Sequence, residues 1–232
     1  MTPLEPRSRE PHPPDALPDL FDTLLKTYGP RHWWPARTVP EMMAGAVLVQ
    51  NTAWIGAARA VARLEEAGLL DSWSALLATP DEQLWERIRP AGFFRIKARR
   101  LKSLAAFMAG FPQGHEGLFR LETPALRTAL LGVYGVGEET ADSILCYGAQ
   151  RGIFVVDAYA RRIFSRLGWT GAQAGYGELQ RFVMERMPAD AHLLGELHAL
   201  LVEHAKRHCR SQPRCHGCPV IFCPTSSTPA PP

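Results

Sequence analysis

The chain has 232 residues, 46% apolar, 21% charged and 9% aromatic, and 26 Lys and Arg against 23 Asp and Glu leave a formal net charge of +3. That is length and composition for one large or two small globular domains. No stretch of about 18 uncharged apolar residues occurs, and the Pro-rich, acidic N-terminal stretch lacks the apolar segment of a signal peptide, so neither a membrane span nor a secretory route is expected.

Residues 1–16 and 224–232 are rich in Pro and polar residues and are expected to be disordered tails. Between them apolar residues recur at helical spacing over 17–28, 40–64, 72–77, 80–89, 96–111, 123–131, 138–150, 158–167, 176–187 and 191–208. Strand-like alternation is almost absent, which predicts an all-α fold. Pro40, Pro80 and Pro124 suit first-turn positions, and Glu41, Asp81 and Glu82 suit the positive end of a helix dipole. Lysine is scarce: Lys26, Lys97, Lys102 and Lys206 stand against 22 arginines, so a mechanism that needs a lysine amine has few candidates.

The most informative stretch is Gly135-Val136-Gly137, set between two helical patterns with Glu138, Glu139 and Asp142 following. Its glycines permit a tight turn, and the N–H groups opening the second helix suit a phosphate. A plain helix–helix turn is the other reading, and a dinucleotide fingerprint is excluded because no strand precedes it. Further on, the apolar run Ile153-Phe154-Val155-Val156 delivers Asp157 to the start of the next helix. There a carboxylate caps the helix, serves as a catalytic acid, or does both, since capping orients it.

Four of the five cysteines end the patterned region as Cys209-x5-Cys215-x2-Cys218-x4-Cys223. Disulfides, a structural zinc and an iron–sulfur cluster are the three readings, and the staggered single cysteines around one Cys-x2-Cys suit the cluster best. Cys146, inside an apolar helical pattern, reads as a small buried hydrophobe. Lys206, Arg207, Arg210 and Arg214 against Glu203 make this C-terminal stretch as positive as the whole chain, as a surface that holds an anionic polymer would be.

Together the hairpin GVGEETAD, the segment FVVDAYARR and the four-cysteine tail resemble the helix-hairpin-helix (HhH-GPD) DNA glycosylase superfamily, in its endonuclease III branch with an iron–sulfur cluster and closest to the 3-methyladenine glycosylase subgroup. The likeness runs over 33–223. It implies two helical domains, a six-helix barrel over 40–150 and an iron–sulfur domain joining 17–39 to 151–223, with damaged double-stranded DNA in the cleft between them and the target base flipped out. It further implies that Gly135, Val136 and Gly137 hold a DNA phosphate, that Asp157 is the catalytic aspartate, and that Cys209, Cys215, Cys218 and Cys223 bind a 4Fe-4S cluster. Gln50 and Asn51 resemble the segment that fills the gap left by the extruded base, and Gly92-Phe93-Phe94-Arg95-Ile96-Lys97-Ala98 resembles a family helix start. Arg210 and Arg214 lie in a phosphate-contacting loop one residue shorter than is typical, and Trp33, Trp34, Trp54 and Tyr134 are aromatics that could stack on a base, although each reads first as a core residue, since large aromatics dominate cores. A monomer working on the nucleoid in the cytoplasm is the matching expectation.

One position departs from the pattern. Bifunctional relatives carry a Schiff-base lysine two residues after the last hairpin glycine, and here that position is Glu139. The expectation is therefore a monofunctional glycosylase for an alkylated purine such as 3-methyladenine or for an oxidised pyrimidine. Weak lyase activity through Lys97 or Lys102, and a DNA-binding paralogue without turnover, are the alternatives.

Overall fold

The computed structural model of the chain describes residues 14–225. Among the described residues twelve α-helices follow one another: α1 Leu17–Tyr28, α2 Val39–Leu48, α3 Trp54–Glu66, α4 Trp73–Ala78, α5 Asp81–Ile88, α6 Phe94–Ala109, α7 His115–Leu118, α8 Thr123–Leu131, α9 Glu138–Ser143, α10 Ala158–Arg166, α11 Tyr176–Met184 and α12 Ala191–Arg207. A 3-10 turn at Arg89–Ala91 joins α5 to α6, and a π-helical turn at Ile144–Gly148 continues α9. No strand occurs among the described residues. The all-α class is the outcome that the helical periodicity demanded.

Two compact units divide the chain, Trp34–Arg151 and the combination of Met1–Trp33 with Gly152–Pro232. The inserted unit is built around α2. Met42 to Leu48 are apolar or glycine without a break, and every one of them is buried, the behaviour of a helix apolar on all sides. α3, α6, α9 and the π-turn pack against it. The expectation of one helix over 40–64 is corrected here, because the chain turns between Leu48 and Trp54. Asn51 takes a left-handed conformation, φ 53°, that no α-helix continues. The domain boundary also falls earlier than the expected residue 40. Trp34 lies edge-on to Trp54, with centroids 5.2 Å apart, and next to Tyr147 at 5.4 Å, which ties it to the inserted unit. Arg151 stays with that unit by donating to the Phe119 and Leu121 carbonyls.

The other unit takes its core from both ends of the chain. Leu17, Leu20 and Leu24 line one face of α1, and they pack with Phe154, Val156, Ile163, Phe164, Leu194 and Leu201. Burial of each such side chain is worth about 1.5–3 kcal/mol. Structure begins ahead of Leu17, since Pro14–Ala16 form a 3-10 turn whose Ala16 is part of the core. Of the expected tails, residues 1–13 and 226–232 lie outside the described residues.

Candidate functional site

Within the inserted unit, α8 and α9 form the hairpin. Gly135 has φ +86°, and a Cβ there would run into the Arg100 side chain, so any other residue at this position is strained and displaces Arg100. Gly137 differs, for its backbone is extended and a Cβ would meet nothing within 4 Å. Val136 is buried beneath the turn. Tyr134 is 45% exposed at the tip, with the Arg99 guanidinium 4.4 Å above its ring.

Gln50 belongs to this assembly. Its amide donates to the Gly135 carbonyl at 3.0 Å and to Thr140 Oγ1 at 2.8 Å, while its Oε1 accepts from Arg100. Its neighbour Asn51 is the exposed member of the pair. Facing the same turn, α6 contributes Lys97, fully buried, whose ammonium donates to the Leu48 and Ala91 carbonyls at 2.8 and 2.7 Å. Burial, aided by the Arg100 charge, lowers its pKa to about 8. Lys97 thus bolts the loop after α2 to the turn before α6. Lys102 is held by Asp81.

Phe93 is a residue that periodicity missed. It is 68% exposed and left-handed, φ 45°, two residues beyond the Ala91 carbonyl that Lys97 grips. A left-handed backbone is uncommon for a bulky residue and costs about 1–3 kcal/mol. Only its place before an arginine-rich helix start, with Arg95, Arg99 and Arg100 following, hints at its exposure in the sequence.

The carboxylates of the hairpin have separate duties. Asp142 is fully buried and receives both Nε and Nη2 of Arg127, at 2.7 and 3.1 Å, and Arg127 also reaches Glu138 at 3.4 Å. These contacts raise the arginine's pKa above its ordinary value, the hydrogen bond to Asp142 being the main cause. Glu139 is exposed on the first turn of α9.

In the other unit, Asp157 caps α10. Its Oδ1 accepts from the Ala160 amide at 2.7 Å, and its Oδ2 lies 3.4 Å from His198 Nε2 on α12. Both side chains are about nine-tenths buried, at 10% and 9% exposure. The four C-terminal cysteines line one cavity with His204, Leu167 and Val220. Arg166 donates to Cys209 Sγ at 3.2 Å and to the Arg210 and Ser211 carbonyls at 2.6 and 2.8 Å, and Arg162 donates to the Cys209 carbonyl at 2.7 Å. Desolvation pushes the Cys218 thiol up to about 11, so a thiolate there calls for a cationic centre beside it. Among the described residues no group of three or more His, Cys, Asp or Glu side chains is arranged to hold a metal ion, and none of the five cysteines is in a disulfide. Arg210 and Arg214 are exposed on the loop between the first two cysteines.

Comparison with known proteins gives these features a family. The model for the HhH-GPD superfamily base excision DNA repair protein matches residues 44–189. The protein MJ1434 of Methanocaldococcus jannaschii, which carries the name of a DNA repair glycosylase, is 42% identical over 207 residues, covering 88% of this chain and 94% of its own. Endonuclease III of Sulfolobus acidocaldarius is 30% identical over 138 residues, 58% of either chain. Among solved structures, the 3-methyladenine DNA glycosylase MagIII of H. pylori bound to 1,N6-ethenoadenine superposes with a TM-score of 0.72 at 28% identity, over 84% of this chain and 98% of that one. A non-covalent endonuclease III–DNA complex gives 0.76 at 22% identity over 91% and 95%, a likeness of fold. A match spanning 44–189, reinforced by close identity along nearly the whole archaeal relative, makes this chain a member of the HhH-GPD superfamily of base excision DNA repair proteins.

Proposed function

We propose that the chain is a monofunctional DNA N-glycosylase that releases an alkylated purine such as 3-methyladenine from double-stranded DNA. The observation that carries this reading is the amine inventory around the hairpin. The lysine position of bifunctional relatives is Glu139, exposed on α9, while Lys97 is sealed between two carbonyls and Lys102 is paired with Asp81. A carboxylate forms no imine, so the reaction runs by hydrolysis. The bond from C1′ to the base nitrogen breaks with its electron pair leaving on the base, and water adds to C1′. Asp157 stabilises the cationic sugar and takes the water's proton.

The half-buried aromatic trio Trp34, Trp54 and Tyr147 supports a cationic, alkylated base, because ring faces attract positive charge. Likeness to the H. pylori 3-methyladenine glycosylase supports the same choice. On the DNA side, backbone amides of 135–137 bind a phosphate, and Phe93 enters the base stack as an apolar wedge. The cysteine cavity fits a 4Fe-4S cluster, for its donors are four soft thiols and two guanidinium-bearing side chains, Arg162 and Arg166, brace the first of them. Cys209, Cys215, Cys218 and Cys223 would hold the cluster, which when bound supplies a rigid cross-link for the Arg210 to Arg214 loop.

The deciding experiment is base release by the purified protein from duplexes bearing 3-methyladenine, 1,N6-ethenoadenine, an oxidised pyrimidine or uracil, with direct nicking scored apart from alkali cleavage. Release from an alkylated purine with nicking only after alkali, lost in Asp157→Asn, is the expected result. Borohydride trapping of a protein–DNA adduct would overturn the monofunctional reading, and release of the oxidised pyrimidine alone would overturn the substrate.

A further inference from the structure

His198 is a buried titratable group that the reaction above leaves without work. It sits on α12, its imidazole edge-on to Phe154 with centroids 6.5 Å apart, and its Nε2 faces the outer oxygen of Asp157. The two oxygens of that carboxylate therefore meet different groups: Oδ1 takes the Ala160 amide as a helix cap, and Oδ2 takes the histidine edge at 3.4 Å. The cap alone leaves the carboxylate free to pivot about its bond to Cβ. A donor on the second oxygen removes that freedom. Both groups are nearly excluded from water, where an ion–donor contact gains strength. The contact is long and not aligned as a hydrogen bond in this structure, the usual state of such contacts before substrate arrives.

We propose that His198 is a positioning residue which, as its Nε2–H tautomer, donates to Asp157 Oδ2 and holds the carboxylate in the plane needed to face C1′. This rests on Asp157 being the catalytic carboxylate. The cap makes Oδ1 the anchored atom, so the oxygen that His198 steers is the one left to meet the sugar or the water. A histidine suits this site because its rigid ring, wedged against Phe154, presents the donor from a fixed direction.

The test combines kinetics with a measurement that needs no substrate. In single-turnover base release from a 1,N6-ethenoadenine duplex, His198→Leu is expected to lose about 10–100-fold in rate, the usual cost of removing an orienting partner. Its Kd for a duplex bearing a tetrahydrofuran abasic analogue is expected to stay within about two-fold. His198→Gln, whose amide reaches the same point, is expected to recover most of the rate. In the free protein, 15N NMR of the ring is expected to show Nε2 protonated in the wild type and a mixture of tautomers in Asp157→Ser, which keeps the cap but lacks the second oxygen. Equal losses in the Leu and Gln variants accompanied by weakened DNA binding would reduce His198 to a packing residue. A full rate in His198→Leu, or an unchanged tautomer in Asp157→Ser, would overturn the proposal. Full base release by Asp157→Asn would instead overturn the catalytic assignment of Asp157. If no duplex releases a base, the tautomer measurement alone decides whether the pair exists.

Discussion

The two hairpin glycines look alike in sequence and differ in what they tolerate. At Gly135 a methyl would meet a backbone φ of +86° and the stem of Arg100 together, and moving Arg100 frees the Gln50 amide that holds the turn. Gly135→Ala is therefore expected to lower stability by about 1–3 kcal/mol in a denaturant titration, whereas Gly137→Ala, in extended backbone with open space around it, is expected to cost under about 0.5 kcal/mol and to weaken DNA binding alone. Equal destabilisation by both would refute this distinction. Lys97 gives a second measurement at the same scale. Its folded pKa of about 8 lies below the ordinary 10.5, so between those values the unfolded chain holds the proton that the folded chain has given up. Stability contributed through this group must then rise as pH climbs from about 8 to 10.5, by at most about 3 kcal/mol. Comparing wild type with Lys97→Met across that window isolates the effect, and parallel stability curves for the two proteins would show that the lysine is not desolvated as described.

Elements were legible wherever a local pattern carried them. The leucines of α1 repeat on one face, and Asp157 reads as a cap because an apolar run ends on it just before a helical pattern resumes. The turn between α2 and α3 was not legible, since apolar spacing continues through Val49 to Trp54, while in the fold Asn51 turns left-handed and Lys97 takes the Leu48 carbonyl from forty-nine residues away. Lys97, Phe93 and His198 share that opacity, for their roles come from what the fold sets beside them. Asp142 was likewise hidden as a helical polar residue, yet it is the buried end of a clamp from α8 to α9. Arg127→Ala takes the two-pronged arginine contact from that buried carboxylate and is expected to cost about 3 kcal/mol, with Arg127→Ala and Asp142→Ala combined costing less than their sum. Additive losses in a double-mutant cycle would mean that the two residues act separately.

Across the whole molecule the formal charge is only +3, and the stretch holding Lys206, Arg207, Arg210 and Arg214 accounts for an equal excess, so the salt dependence of DNA affinity should draw measurably on this small part of the surface. Each phosphate neutralised by a side chain contributes about 0.9 to the slope of log affinity against log salt. Replacing Arg210 and Arg214 together by Ala is therefore expected to flatten that slope by about two, with no change in the lesion preferred. The same measurement tests what shapes the loop. Arg166 holds its Arg210 and Ser211 carbonyls, but Cys209 and Cys215 fix its two ends on the cavity wall. If a cluster joins those thiols, Cys215→Ser should release one end and flatten the slope about as far as the double arginine variant does. A Cys215→Ser protein that folds and keeps the wild-type slope would show that the hydrogen bonds from Arg166 and His208 maintain the loop without the thiols, and the cluster would lose its part in DNA binding.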